Sequence, residues 1–281
     1  MDKMNAKAYL ENFIADVQFR YSTSTLDNYQ RYVNQFFNYC NKPLDEIRKR
    51  DIRNWLIHNS EKGYQPATIC LGLCSLKTFF TYCLEEELIL QNPAEEIDFP
   101  KRDEVIPKYL TVEQLTLLRG HVEGQVRARA VIETLYATGI RISELAAMRI
   151  EDINWSERSI LITNGKGKKE RMVLFTRVCG EHLKFYLDKR TDTLPFVFPN
   201  SKGTKSFSFW YNKNMFLDFS EQLGFKVTSH ILRHTFAAHL AQKGMPLNSI
   251  QVLLGHTDIQ NTQIYARLYD LARKEIYDDL M

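Results

Sequence analysis

Residues 98–109, DFPKRDEVIPKY, divide this chain into two bodies. Pro100 and Pro107 cannot continue a helix, because each lacks an amide hydrogen and its ring clashes with the preceding turn. The charges between them follow no apolar period, so the segment reads as an extended interdomain linker. What folds before residue 98 then builds its own core, and so does what folds after residue 109. A chain of 281 residues with 44% hydrophobic content is long enough for both, one domain over 1–97 and another over 110–281.

The first body reads as almost wholly helical. A helix is expected over residues 4–19. In TSTLDNYQRYVNQFFNYC, Leu26, Tyr29, Val33, Phe36 and Phe37 recur at three- and four-residue steps, one apolar stripe that Ser24 or Thr25 can cap. PLDEIRKRDIRNWLIHNSEKG gives a further helix stopped by Gly63. Pro66 then opens ATICLGLCSLKTFFTYCLEEELI, a long helix ending before Asn92-Pro93. The expectation is a small four-helix bundle.

The second body is mixed. Thr111 caps VEQLTLLRGHV, and VRARAVIETLYATG is an apolar helix stopped by Gly139. ISELAAMRIEDI follows, with Ser143 as its cap. SILITNG, GKKERMVLF and PFVFP read as short strands, and Gly165 and Gly167 bracket Lys166 in the hairpin between the first two. From Trp210 onward the pattern is helical, with Gly224, Gly244 and Gly255 as stops. The fold class is mainly α, with a small antiparallel sheet in an α+β second domain.

Charge separates the two bodies. Residues 1–106 carry 13 Lys+Arg against 16 Asp+Glu, and the remainder carries 24 against 18. A basic C-terminal half is compatible with a polyanionic partner, although so small an excess is also what a solvated face looks like. The five cysteines, Cys40, Cys70, Cys74, Cys83 and Cys179, include no C-x-x-C pair. Most lie in amphipathic stretches, where cysteine serves as a small buried hydrophobe, which points to a reducing, cytoplasmic compartment. No signal-peptide core is expected at the N-terminus, and no run is expected to approach the roughly 18 apolar residues of a membrane span.

Four strings carry the chemistry: Arg141 in YATGIRISEL, Lys166 in NGKGKKER, His230 and Arg233 in SHILRHTF, and His256 and Tyr265 in LLGHTDIQNTQIYA. Two arginines, two histidines, a lysine and a late tyrosine are what holding and attacking a phosphodiester requires. Each piece alone has an ordinary reading. Arg141 could be a surface arginine, the hairpin a solvated turn, and Tyr265 a packing residue among 14 tyrosines. His230 and His234, four apart on a helix, could bind zinc, but no glutamate follows His230 and no third ligand is suggested. His234 and His239 read as satisfied, partly buried histidines.

Taken together, the order Arg141, Lys166 in a glycine-flanked hairpin, His230-x-x-Arg233 and LLGHxxxxxTxxYA resembles the tyrosine recombinase (phage-integrase) family, close to its Xer-like branch, along nearly the whole chain. SLKTFFTYCLEEELILQNPAEEI resembles the last helix of that family's core-binding, SAM-like domain. The resemblance implies a site-specific recombinase that cleaves DNA to a 3′-phosphotyrosine. Strands are then exchanged in pairs through a Holliday junction, by a homo-tetramer on two double-stranded sites.

The roles it implies make chemical sense. Attack on a phosphodiester makes a dianionic centre, and the guanidiniums of Arg141 and Arg233 can each place paired donors on its non-bridging oxygens. Tyr265 as nucleophile keeps the bond energy in a phosphoester, so resealing needs no ATP. Lys166 can give the leaving oxygen its proton, and His230 can accept the tyrosine proton or bond the phosphate. His256 can donate to a non-bridging oxygen, and Glu144, one turn after Arg141, can fix an arginine or histidine. No cofactor or metal is expected. Candidate DNA contacts are Arg48, Lys49, Arg50 and Arg53 in the first domain and Lys168, Lys169 and Arg171 in the hairpin. The tail LYDLARKEIYDDLM resembles a terminal helix that docks on a neighbouring subunit, with Leu268, Leu271, Ile276 and Leu280 as one apolar stripe. With no extra arm-binding domain before residue 1, the chain fits a simple Xer-like or transposon-encoded enzyme. The competing readings are a type IB topoisomerase-like strand transferase, a non-catalytic DNA-binding protein on the same fold, and a helical metal-binding protein.

Overall fold

Aromatic packing organises the N-terminal part of the computed structural model, which describes residues 3–100, 107–163, 170–200, 209–255 and 260–280. Four helices, α1 (Lys3–Val17), α2 (Thr23–Tyr39), α3 (Lys49–Glu61) and α4 (Pro66–Glu85), bury Phe13, Phe36, Trp55, Phe79 and Phe80. The rings meet edge to face, Phe36 on Trp55 at 84° and Phe13 on Phe79 at 86°, the arrangement that aligns one ring's positive edge with the other's negative face. Ser22, rather than Ser24 or Thr25, caps α2: its Oγ accepts the Thr25 amide, because the chain is still extended at residue 22. α4 stops at Glu85, seven residues before Asn92, and Glu87 turns into the left-handed region. Contrary to the expectation from composition, α4 is long and apolar enough to cross a membrane. Its buried face, from Leu73 through Leu76 and Phe80 to Cys83, is instead part of this bundle's core.

The chain divides into two compact units, Met1–Asp103 and Glu104–Met281, within the stretch expected as a linker. Residues 101–106 of that stretch lie outside the described residues. Pro107 to Leu110 belong to the second unit, where the Leu110 amide donates to Thr235 Oγ1.

The second unit runs α5 (Val112–His121), α6 (Val126–Thr138), α7 (Ile142–Ala147), β1 (Ile153–Asn154), β2 (Ser159–Ile162), β3 (Arg171–Leu174), α8 (Arg177–Asp188), α9 (Phe209–Leu223), α10 (Ser229–Gln242), α11 (Leu247–Leu254), α12 (Gln260–Gln263) and α13 (Ala266–Leu280). The three strands pair antiparallel in sequence order, with Ile160 opposite both Ile153 and Val173. Ile160, Ile162 and Val173 face the core, while Leu161, Met172 and Leu174 face outward, as a period of two requires. Two expectations change here. PFVFP contributes only a single bridge, Phe196 to Arg149, and β1 pairs instead. Ser143 does not cap α7: the helix begins at Ile142 with Arg141 at the N-cap, and Glu144 Oε2 accepts the Arg141 amide.

Behind the sheet, α6 buries Val131, Ile132 and Leu135. α10 buries Phe236, Ala237, Ala238 and Ala241 in a second cluster that includes Leu254, Tyr265 and Leu268. α13 thereby packs on its own domain through Leu268 and Ala272. The expected stripe does not run as one face, since Leu271 is 54% exposed; the side chains of Ile276 and Leu280 lie outside the described residues.

Candidate active site

Two glycine-ended helices and the buried helix α10 meet where the candidate residues converge. α6 and α11 each end on a glycine in the left-handed conformation, Gly139 (φ 61°) and Gly255 (φ 63°), which a side chain would oppose. Their last carbonyls, free of helical partners, take the guanidinium of Arg233. Arg233 Nη1 donates to Gly139 O at 2.5 Å and Nη2 to Leu254 O at 2.7 Å. Arg233 is buried, and burial together with the neighbouring Arg141 lowers its pKa to about 10, so it stays charged at neutral pH. The negative ends of two helices compensate the buried cation.

Arg141 lies one residue beyond Ile140, which follows the Gly139 turn. Its Nη1 donates to Glu144 Oε1 at 2.9 Å, and its Nη2 reaches Gly255 O at 3.5 Å. Glu144 is buried. Burial favours its neutral form, but hydrogen bonds from Arg171 and from the Arg141 amide and side chain outweigh that and hold its carboxyl below the usual range. Arg171, expected as a DNA contact, is only 13% exposed at its side chain and places two nitrogens on Glu144, Nη1 on Oε1 at 2.9 Å and Nη2 on Oε2 at 2.8 Å. The fork that would meet a backbone phosphate is turned inward.

Tyr265 enters from the turn before α13 and is 1% exposed. Its hydroxyl lies 2.5 Å from His234 Nδ1. Burial, and then the nearby charges of His230 and Arg233, push the His234 pKa down to about 4. The ring is therefore neutral at pH 7, and with the proton on Nε2 its Nδ1 accepts from the tyrosine O–H. Burial raises the Tyr265 pKa, and Arg233 offsets part of the rise. His234 is the partly buried, satisfied histidine expected of it, but its partner is the candidate nucleophile. Sequence reasoning missed this. The available signal was that positions 230, 233 and 234 fall within one turn of one helix. His230, at the exposed start of α10, is not the histidine at the Tyr265 hydroxyl. His239 is satisfied elsewhere: its Nε2 donates to Leu110 O, and its Nδ1 accepts from Tyr136.

Lys166, Lys168, Lys169 and His256 lie outside the described residues. In the first unit, Arg48 Nη1 donates to Asp45 O and Lys49 pairs with Glu96, whereas Arg50 and Arg53 are exposed on α3. Among the described residues no group of three or more His, Cys, Asp and Glu side chains could hold a metal ion.

This pairing of a helical unit with a domain that gathers Arg141, Glu144, Arg233 and Tyr265 has known counterparts. Residues 108–271 match the phage integrase family and residues 9–90 its N-terminal SAM-like domain, so the chain belongs to that family, the tyrosine recombinases. It is 32% identical to tyrosine recombinase XerC of Thermodesulfovibrio yellowstonii, over 98% of this chain and 96% of that protein. It is 33% identical to tyrosine recombinase XerA of Pyrococcus furiosus, over 88% and 84%. Among solved structures, XerA recombinase is 29% identical over 97% of this chain and 98% of that one, with a TM-score of 0.55. The Tn1549 transposon integrase in complex with transposon right end DNA is 20% identical over 97% and 99%, with a TM-score of 0.80. At that identity the likeness concerns the fold.

Proposed function

We propose that the chain is a site-specific DNA recombinase that cleaves and rejoins double-stranded DNA through a 3′-phosphotyrosine at Tyr265, exchanging strands by way of a Holliday junction. The observation that carries the reading is the convergence of two guanidiniums, Arg141 and Arg233, on one pair of helix-ending turns beside the Tyr265 hydroxyl. Arg141 and Arg233 take the non-bridging phosphate oxygens, and Lys166 protonates the leaving 5′-oxygen. His230 and His256 serve the phosphate, and His230 or His234 receives the tyrosine proton. Fixed cations aimed at the charge that develops supply what a metal ion would otherwise bring, so no divalent metal and no cofactor is needed. Affinity comes mostly from phosphate contacts and falls with salt, with Arg50 and Arg53 of the first unit and Lys168 and Lys169 of the second as candidate contacts. Four subunits act on two sites in the cell interior, the tail after Tyr265 leaving its own domain to dock on a neighbour. The exposed Leu271 and Tyr277 on α13 suit such a second partner.

A nicked suicide substrate tests the reading. Wild-type protein should become covalently attached to DNA, on a denaturing gel, in excess EDTA. Tyr265→Phe should bind the same DNA and form no adduct. An undiminished adduct in Tyr265→Phe, or a wild-type reaction that needs magnesium, would overturn it. Relaxation of plasmid lacking any specific site would favour the topoisomerase-like alternative.

A further inference from the structure

We propose that Arg171 is a positioning residue for strand cleavage: it occupies Glu144 so that Arg141 keeps donors free for the scissile phosphate. The proposal rests on the recombinase reading and concerns how one of its two clamps is held ready.

The geometry is a competition for one carboxylate. Glu144 offers two oxygens, and two guanidiniums approach them. Arg171 takes both with parallel bonds, at 2.9 and 2.8 Å. Arg141 is left with a single side-chain bond, Nη1 to Oε1 at 2.9 Å, while its backbone amide uses Oε2 at 2.8 Å. Among the described residues, the second terminal nitrogen of Arg141 has only the long 3.5 Å approach to Gly255 O. An arginine beside an unoccupied carboxylate closes onto it with two bonds, because the fork matches the carboxylate edge. Arg141, the N-cap of the short helix that carries Glu144, is three residues from it and could do so. Arg171 prevents that closure, and Arg141 keeps donors to present to a phosphate.

Arg171 is itself held in place. Its Nε approaches Leu253 O at 3.4 Å, and its guanidinium lies beside the Gly255 turn. A Cβ built at Gly255 would lie 2.8 Å from both Cδ and Nε of Arg171, so a side chain at this position would push the guanidinium aside. The same turn supplies the Leu254 carbonyl to Arg233 and the Gly255 carbonyl to Arg141. One side chain of β3 thus sets the carboxylate that holds one clamp and packs on the turn that holds the other. With its side chain 13% exposed and two of its nitrogens on Glu144, Arg171 is poorly placed to serve as a direct DNA contact.

The test is single-turnover cleavage of the suicide substrate at saturating protein, with DNA affinity measured separately, for Arg171→Ala, Arg171→Lys, Arg141→Ala and the Arg141→Ala/Arg171→Ala double variant. Arg171→Ala should cleave about 10- to 100-fold more slowly, the penalty of a misplaced reacting group, with DNA affinity within about twofold. Arg171→Lys keeps the charge but loses the fork, and should fall between. The double variant should be no slower than Arg141→Ala, because Arg171 acts through Arg141. A substrate whose scissile phosphate is replaced by a neutral methylphosphonate has less charge for a clamp to meet, and on it the deficit of Arg171→Ala should shrink. General damage to the fold would shrink with neither partner nor substrate. Wild-type-like cleavage by Arg171→Ala, affinity lost in step with cleavage, or losses that multiply in the double variant would each overturn the proposal. If Arg171→Ala does not fold, the same criteria apply to Arg171→Lys. If wild-type protein forms no adduct at all, the recombinase reading fails first. If it does and Arg171 proves dispensable, only this proposal fails.

Discussion

Replacing Glu144 by glutamine should destabilise the second unit by an amount that the geometry fixes within limits. The carboxylate accepts four hydrogen bonds, two on each oxygen: Oε1 from Arg141 Nη1 and Arg171 Nη1, and Oε2 from the Arg141 amide and Arg171 Nη2. An amide of the same shape keeps one acceptor and turns the other into a donor. Whichever way it flips, two donors face a donor, and both guanidiniums lose their counter-charge. Hydrogen bonds to charged groups are worth about 1.5–3 kcal/mol each, and removing one member of a buried ion pair costs about 3–5 kcal/mol. Both routes give a loss of about 4 kcal/mol, or about 8–16 °C in Tm for a domain of this size. The sign of the pH dependence follows from the depressed carboxyl pKa. Its stabilisation is fully present above the ordinary value of 4.5 and is lost as pH falls through the lower folded-state value. Denaturant unfolding of the full chain at pH 7 and near pH 4 should therefore show a gap between wild type and Glu144→Gln that narrows with acid. A gap under about 1 kcal/mol at pH 7, or one that ignores pH, would refute the idea that Glu144 is the ionised centre of this network.

Other expectations concern neighbouring parts. Gly139→Ala places a Cβ into the Phe236 ring at a φ of 61°, so it should lower Tm and slow cleavage together, by loosening the carbonyl that holds Arg233; unchanged Tm would contradict this. His234 and His239 are both held neutral, so protonation favours the unfolded chain. Stability should fall as pH drops below 6.5, for His234 down to about 4, and His234→Gln should flatten part of that slope in a pH series of unfolding curves. Truncation after residue 268 should leave single-site DNA binding nearly intact while weakening synaptic complexes in gel-shift assays. Loss of both, with a lower Tm, would make packing of Ala272 on its own domain the tail's main role.

The helices and the small sheet were legible in the sequence because apolar period and glycine stops are local signals. Phe36 and Phe80 announce a buried stripe wherever the stripe packs, and Gly139 and Gly255 announce their turns. What escaped depends on distant partners. Ser22 caps α2 in preference to equally suitable residues two and three positions on, a choice made by where the extended segment ends. β1 is two residues long and exists because Ile153 meets Ile160. Charge placed Arg171 among the DNA contacts, since nothing near it in the chain announces Glu144, 27 residues earlier. His234 looked like packing because its partner, Tyr265, lies 31 residues ahead.

The anchoring of Arg233 has a consequence for inheritance. Its two acceptors are peptide carbonyls, those of Gly139 and Leu254. A carboxylate acceptor can be deleted by a single codon change, whereas every residue at 139 or 254 brings a carbonyl with it. The mutational target for losing this contact therefore contracts to changes that bend the main chain, such as a side chain at Gly139 or a proline in the last turn of α11. In a random library, position 254 should tolerate apolar replacements that keep its packing, while position 139 stays nearly fixed, although neither contributes a functional side chain.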